Sequence, residues 1–380
     1  MQGRGIVKPP TGIAFDADFG DNIDSVLTLA LLEAMSSKNE TRVLSTSITK
    51  ANLRAAQAAE AISTFMKGPP AAGGFGGGVG VNPEMIGLAT NGRMKEDTPV
   101  LDAIALKKGP DGKPAYPWKI SRITDTAEGS VTIRNILLAQ NDLNAIVLVD
   151  GPATNAVELL GLYGAKPQVV AKVKYLVLAA GAYPAGDAEA GIRSDIASAK
   201  KLFAEWPTPI IAVGTEVGAA IPYPGSSIEK DFAWATPSHP IVDAYRAFKP
   251  MPYDAVTPGM AAALYAVHPD DGYFKLSEPG TITVGDDGRT KFTPGANGKH
   301  RYLIADPSQK EKITKLYTDL ISAKPVARAN PFGRGGRGAS GAGRGAFGAS
   351  GAGGRGVIAG GRGASGAAAG VAATPPAAQE

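Results

Sequence analysis

Gly12-Ile13-Ala14-Phe15-Asp16-Ala17-Asp18-Phe19-Gly20-Asp21-Asn22-Ile23-Asp24-Ser25 decides how the rest of the chain is read. The apolar run Gly12 to Phe15 predicts a buried strand, and acidic side chains begin where that strand should end. Val26-Leu27-Thr28-Leu29-Ala30-Leu31-Leu32 then predicts a helix. Oxygen-bearing side chains thus gather at the carboxyl end of a strand, where open α/β sheets place their binding sites. Side chains two apart on a strand share a face, so Asp16 and Asp18 are expected to project together. Carboxylates held that close repel unless a cation, a shared proton or backbone donors intervene. A hard, oxygen-seeking cation such as calcium suits the cluster. The competing reading is turn and cap chemistry, with Asp24 or Ser25 capping the helix that follows.

Strand-like and helix-like runs alternate outward from this point. Arg42 to Ile48 predicts a strand, and Asn52 to Ile62 a helix with Asn52 as its cap. Ala145 to Val149 is a continuous apolar strand, followed by the turn Gly151-Pro152-Ala153-Thr154-Asn155 and the helix Ala156 to Leu160. Val173 to Leu178 and Pro209 to Val213 are two further strands, with a helix from Ile196 to Phe203 between them. Apolar strands alternating with helices predict a doubly wound, mostly parallel α/β sheet with a Rossmann-like core, covered on both faces. From about Pro269 the pattern changes to a small C-terminal extension. It holds a hairpin, Gly280 to Phe292 with Asp287-Gly288 in its turn, and a closing helix, Gln309 to Ile321.

Composition narrows the chemistry. The 380 residues are 44% hydrophobic, enough for a sizeable core, and contain no cysteine. Disulfides, thiolate nucleophiles and zinc–thiolate sites are therefore excluded. Three histidines (His239, His268, His300) are too few for a histidine-rich metal cluster, so carboxylates and backbone oxygens must carry any chemistry. No run of eighteen apolar residues occurs, so no membrane-spanning helix is expected. The net charge of +4 comes largely from arginines near the end of the chain, and the body shows no basic stripe of the kind nucleic acids require.

The domain reading is an extended segment over 1–10, one globular domain over 11–325, and a Gly/Ala/Arg-rich disordered tail over 326–380. The tail's Arg-Gly repeats could meet RNA or another anionic surface weakly, but a solvated tail is the favoured reading. Gly73 to Gly80 lacks the Gly-Lys-Ser/Thr ending of a phosphate-cradling loop and reads as a mobile loop or lid. Met1 to Pro10 holds no apolar leader core. Two readings stand: a cytoplasmic chain, or an exported one whose leader has been removed, which a glutamine-led, loop-like start suits better.

Four motifs, in order and at matching spacing over about residues 11 to 322, resemble the nucleoside hydrolase family of the inosine/uridine-preferring type, in particular a bacterial branch with a longer first loop. They are Asp16-Ala17-Asp18-Phe19-Gly20-Asp21-Asn22-Ile23-Asp24-Ser25, Gly151-Pro152-Ala153-Thr154-Asn155, Ala180-Gly181-Ala182-Tyr183-Pro184, and Trp206-Pro207-Thr208-Pro209 continuing to Gly214-Thr215-Glu216-Val217-Gly218. The resemblance implies a calcium-dependent hydrolase acting on the N-glycosidic bond of a ribonucleoside, commonly as a homo-oligomer. Carried over, Asp18 would be metal ligand and general base. Asp24 would bind the ion and ribose hydroxyls, Thr154 would lend the ion its carbonyl, and Asp254 would complete the shell and share in catalysis. Asp16 and Asn22 would support these ligands from behind, while Asn52, Glu189 and Tyr253 would contact the substrate.

Three departures bear on activity. Ser25 stands where the family has a carboxylate that grips calcium with both oxygens, so a charge and a ligand are lost. Glu189-Ala190-Gly191 keeps the acid of a family Glu-Phe-Asn segment and loses its amide. Tyr253 replaces a histidine that several members carry near the leaving base, and a phenol is the weaker proton donor near neutral pH. The alternative implied is a catalytically impaired member that binds a ribosyl ligand without cleaving it. Glu216 and Trp234 are further candidates for the neighbourhood of the pocket, each weighed against an ordinary structural role.

Overall fold

The apolar run around Phe15 becomes β1 (Gly12–Ala17), every residue of which is buried. It leads into α1 (Asp24–Ser37), β2 (Arg42–Ile48), α2 (Leu53–Lys67) and β3 (Met85–Leu88). Then come α3 (Pro99–Ala105), β4 (Ala127–Glu128), α4 (Gly129–Leu138), β5 (Ala145–Asp150), α5 (Thr154–Gly161), α6 (Ala165–Lys172) and β6 (Val173–Ala179). The chain continues through α7 (Ala190–Ser194), α8 (Ile196–Glu205), β7 (Ile210–Val213), α9 (Thr215–Ala220), α10 (Gly225–Lys230), α11 (Pro240–Phe248) and α12 (Pro258–Val267). It closes with β8 (Phe274–Leu276), β9 (Gly280–Val284), β10 (Thr290–Pro294), β11 (His300–Ala305) and α13 (Lys310–Ile321). This computed structural model describes residues 9–68, 85–89, 96–235 and 237–326. The lid reading of 73–80, the extended start through residue 8 and the tail reading beyond residue 326 lie outside the described residues.

The strands form a single sheet in the order β10-β9-β11-β7-β6-β5-β1-β2-β3-β4, with β8 paired to β11. From β4 to β11 along this order every pairing is parallel. Parallel strands need crossover helices, and these cover both faces, which explains the near-continuous apolar character of β1, β5 and β6. Two apolar cores result. One holds Phe15, Leu29, Ile62, Tyr245 and Leu264; the other holds Ala14, Val147, Leu159, Leu176 and Phe203.

The doubly wound parallel sheet agrees with the sequence reading, and the C-terminal extension is built into it. The Gly280 hairpin forms as β9 against β10, with Phe292 opposite Ile282. β11 then pairs in parallel with β7, so the extension lengthens the main sheet through an antiparallel edge. An exposed β7 edge would leave a row of unpaired backbone groups, and the extension covers it.

The strand order reverses beside β1. The chain winds one way through β2 and β3, and the other way through β5, β6 and β7. At the carboxyl ends of β1 and β5, Ala17 pairs with Asp150. This reversal opens the crevice in which doubly wound sheets bind ligands. Among the described residues no helix is long and apolar enough to cross a membrane.

Candidate active site

A cavity of about 490 Å³ opens at this reversal. Its wall includes Asp18, Asn22, Asp24, Asp150, Gly151 and Glu189. Five acids thus meet here: Asp18 from the end of β1, Asp24 from the start of α1, Asp150 from the end of β5, and Asp187 with Glu189 from the segment that leads into α7.

Asp18 follows β1, and its backbone amide donates to the carbonyl of Asp150 at 3.3 Å. Its Oδ1 is buried and meets no hydrogen-bond donor among the described residues. Burial and then the charge of Asp21 raise its pKa well above the ordinary carboxylate value, against a downward pull from Lys50. Lys50, almost wholly buried, pairs with Asp21.

Asp24 opens α1 and is pinned from the far side of the chain. Its Oδ2 accepts from the Gly259 amide at 2.7 Å, and its Oδ1 accepts from Met260 N at 3.4 Å and the Thr28 hydroxyl at 3.2 Å. Amides at a helix start suit a carboxylate. Burial nevertheless pushes its pKa up to about 7, with the two amides and Thr28 opposing the shift.

Glu189 caps α7, accepting from Gly191 N at 2.8 Å and Ile192 N at 3.2 Å, and also from Gly181 N at 3.3 Å. Asp16, inside β1, accepts from Asn155 Nδ2 at 2.8 Å and so ties the Gly151–Asn155 turn to the first strand. Asn22 lines the cavity and holds the start of α1 through Ser25 N at 3.1 Å.

The other sequence candidates lie elsewhere. Asn52 is committed to capping α2: its Oδ1 accepts from Ala55 N at 2.9 Å, and its Nδ2 donates to Glu96 O at 2.9 Å and Asp97 Oδ1 at 3.1 Å. Thr154 starts α5 and donates its hydroxyl to Asp195 Oδ2 at 2.7 Å. Tyr253 stacks on Tyr245 with ring centres 4.4 Å apart and donates to the Tyr245 carbonyl at 2.6 Å. Asp254 is exposed, and its Oδ1 accepts from Gly225 N at 2.9 Å. None of these four lines the cavity. Ser25 is fully buried, its Oγ accepting from Gly20 N at 3.2 Å, so the hydroxyl shapes the first loop.

Glu216 borders a second cavity of about 320 Å³, with Tyr183 and Tyr302. Trp234 donates to the Ser322 carbonyl at 2.7 Å, which assigns it to packing. The histidines are structural: His239 caps α11 in a ring of Phe65, Phe232 and Trp234, His268 meets Glu40 and Asp271, and His300 lies in β11.

Sequence reading missed Asp150. It is 4% exposed, and burial with the charges of Asp24, Asp18 and Glu189 raises its pKa well above the ordinary carboxylate value, against a downward pull from the Thr28 hydroxyl. The signal was present: an acid closing an apolar strand, the same pattern that singles out Asp18. Arg193 and Thr215 also line the cavity.

Solved structures share this architecture. An inosine-uridine preferring nucleoside hydrolase from Bacillus anthracis superposes with a TM-score of 0.57 at 16% identity, covering 82% of this chain and 99% of that one. The fold is that of the nucleoside hydrolases. An inosine-guanosine nucleoside hydrolase gives a TM-score of 0.60 at 15% identity, covering 82% of this chain and 98% of its own. The type III effector protein XopQ, solved in complex with adenosine diphosphate ribose, gives 0.58 at 14% identity, with 84% and 96% covered. No family model and no curated protein sequence matches the chain. At these identities the nucleoside hydrolase fold is what is shared, and the chemistry must be argued from the cavity.

Proposed function

We propose that this protein hydrolyses the N-glycosidic bond of a ribonucleoside, releasing the base and ribose. The observation that carries the reading is the meeting of Asp18, Asp24 and Glu189 around one cavity at the reversal point of a nucleoside hydrolase fold.

A divalent cation is tested first against the residues present. Among the described residues no three acidic or histidine side chains already stand as a cation cluster. The donor chemistry does fit: the wall is rich in hard carboxylate oxygens, and Asp18 Oδ1 is buried without a donor. Asp18 and Asp24 are the residues that would hold calcium, which when bound would acidify and orient the attacking water.

The chain's own groups supply the rest. Asp18 takes the proton of the water, and a carboxylate whose pKa is raised by burial is a stronger base once ionised. Asp24, fixed by three donors, presents a rigid acceptor to ribose hydroxyls. Cleaving the C–N bond builds oxocarbenium-like positive charge on the sugar, and the surrounding carboxylates stabilise it. Glu189, held by three backbone amides, contributes from the cap of α7. The base departs with negative charge, and Arg193 is a cation on the cavity wall that can offset it.

A second reading, a ribosyl-binding protein without turnover, draws on Ser25 and Asp254. The hydroxyl of one is spent on the first loop, and the carboxylate of the other faces Gly225. Purified protein with millimolar calcium and a panel of ribonucleosides separates the two. Hydrolysis predicts free base by chromatography; binding alone predicts a rise in melting temperature with no base released.

A further inference from the structure

Asp150 is a costly residue to bury. β5 is otherwise apolar, Ala145-Ile146-Val147-Leu148-Val149, and lies between β1 and β6 in the middle of the sheet. A carboxylate at its end, 4% exposed, faces Asp18, Asp24 and Glu189, and the Thr28 hydroxyl beside it already donates to Asp24 Oδ1 at 3.2 Å, so it is destabilising unless a positive group satisfies it. Of the cations of this region, Lys50 is engaged with Asp21, and Arg193, on the same cavity wall, is exposed. Asp18 Oδ1, buried in the same acid-lined cavity without a donor among the described residues, calls for a partner, and an ion is one that the carboxylates around it suit.

The neighbouring backbone makes room for this carboxylate. A Cβ on Gly259 would lie 2.5 Å from Asp150 Oδ2 and 2.5 Å from Thr28 Oγ1, so a side chain at 259 and the acid at 150 exclude each other. Gly259 is also the residue whose amide fixes Asp24. On the other side, the Asp150 carbonyl receives the Asp18 amide, and a Cβ on Gly151 would lie 3.1 Å from Asp18 Cγ. The acids at 18, 24 and 150 are therefore mechanically linked through two glycines.

We infer that Asp150 is a ligand of a divalent cation bound in this cavity together with Asp18 and Asp24. It supplies from β5 the carboxylate that Ser25 does not supply from α1. Both of its neighbours can contribute acidic oxygens, and three carboxylates match the hard-donor set that calcium takes. The inference rests on the proposed function only for the expectation that a cation occupies the cavity.

Calcium binding is measured by isothermal titration on the full chain, comparing wild type with Asp150→Asn, Asp150→Ala and Asp254→Asn. The expected result is one calcium per chain for wild type, affinity weakened at least about tenfold in both Asp150 variants, and no change in Asp254→Asn. In EDTA both Asp150 variants should melt no lower than wild type, because a buried carboxyl crowded by neighbouring acids has been removed. Unaltered calcium affinity in the Asp150 variants overturns the inference, as does loss of affinity confined to Asp254→Asn, absence of calcium binding by wild type, or failure of both Asp150 variants to fold in EDTA. The nucleoside assay is scored separately on wild type. Base release with unaltered calcium binding in Asp150→Asn would leave the hydrolase standing and remove Asp150 from the cation site. Calcium binding that depends on Asp150 without base release would do the reverse.

Discussion

The amide of Gly259 donates to Asp24 Oδ2 at 2.7 Å, joining residues 235 positions apart. The bond sets the start of α12 against the start of α1 and fixes the acid expected to meet the sugar. Asp24→Ala leaves this amide and that of Met260 without their acceptor in a buried setting. An unsatisfied buried group costs about 1–3 kcal/mol, so denaturant unfolding should show a loss of about 3 kcal/mol. Asp24→Asn keeps one acceptor oxygen and should cost less, while both variants lose affinity for nucleoside.

Stability of the cation-free protein should fall as pH rises. The Asp24 carboxyl, buried and facing the charge of Glu189, is raised from 3.8 to about 7, and burial together with neighbouring acids raises Asp18 and Asp150 in the same direction. The folded state then holds protons that the unfolded chain has already released. The stabilisation is complete below pH 3.8 for Asp24 and is lost as pH climbs through about 7. Thermal melts in EDTA should show this decline, and calcium, which favours the ionised acids, should flatten it.

Gly151 has φ of +137° and stands against Asp18. Gly151→Ala adds both a strained backbone and a methyl close to Asp18 Cγ. A strained residue of this kind costs about 1–3 kcal/mol. Because Asp18 must move, kcat should fall by a larger factor than the change in stability accounts for at the assay temperature, which combined melts and steady-state kinetics will show.

Ser25→Asp places a carboxylate where a buried hydroxyl now accepts from Gly20 N. Without a cation the variant should melt lower than wild type. With calcium the order should narrow or reverse, and isothermal titration should show tighter binding. A variant equally destabilised with and without calcium would place residue 25 outside reach of any ion.

Much of this fold is legible in the sequence because parallel strands buried on both faces must be apolar throughout. β1, β5, β6 and β7 follow from that rule, β2 (RVLSTSI) from its β-branched and aliphatic content, and the hairpin from its Asp287-Gly288 turn. The joining of β11 to β7 is not legible, since it depends on which edge lies open in three dimensions. In the site, Asp18, Asn22, Asp24 and Glu189 are all brought to the cavity, each at a strand end or helix start that local pattern marks. Asn52, Tyr253 and Asp254 carry the right chemistry in sequence, yet a cap, a stacked ring pair and the Gly225 amide claim them. Asp150 escapes because one acid after five apolar residues looks like the end of a strand, and only the pairing with Ala17 reveals its company.

The most direct test compares wild type with Asp18→Asn, each in calcium and in EDTA, following free base and ribose from a ribonucleoside panel. The account predicts equal amounts of base and ribose from wild type in calcium, with release abolished by EDTA and by Asp18→Asn. No base from any ribonucleoside, or undiminished release from Asp18→Asn, would contradict it.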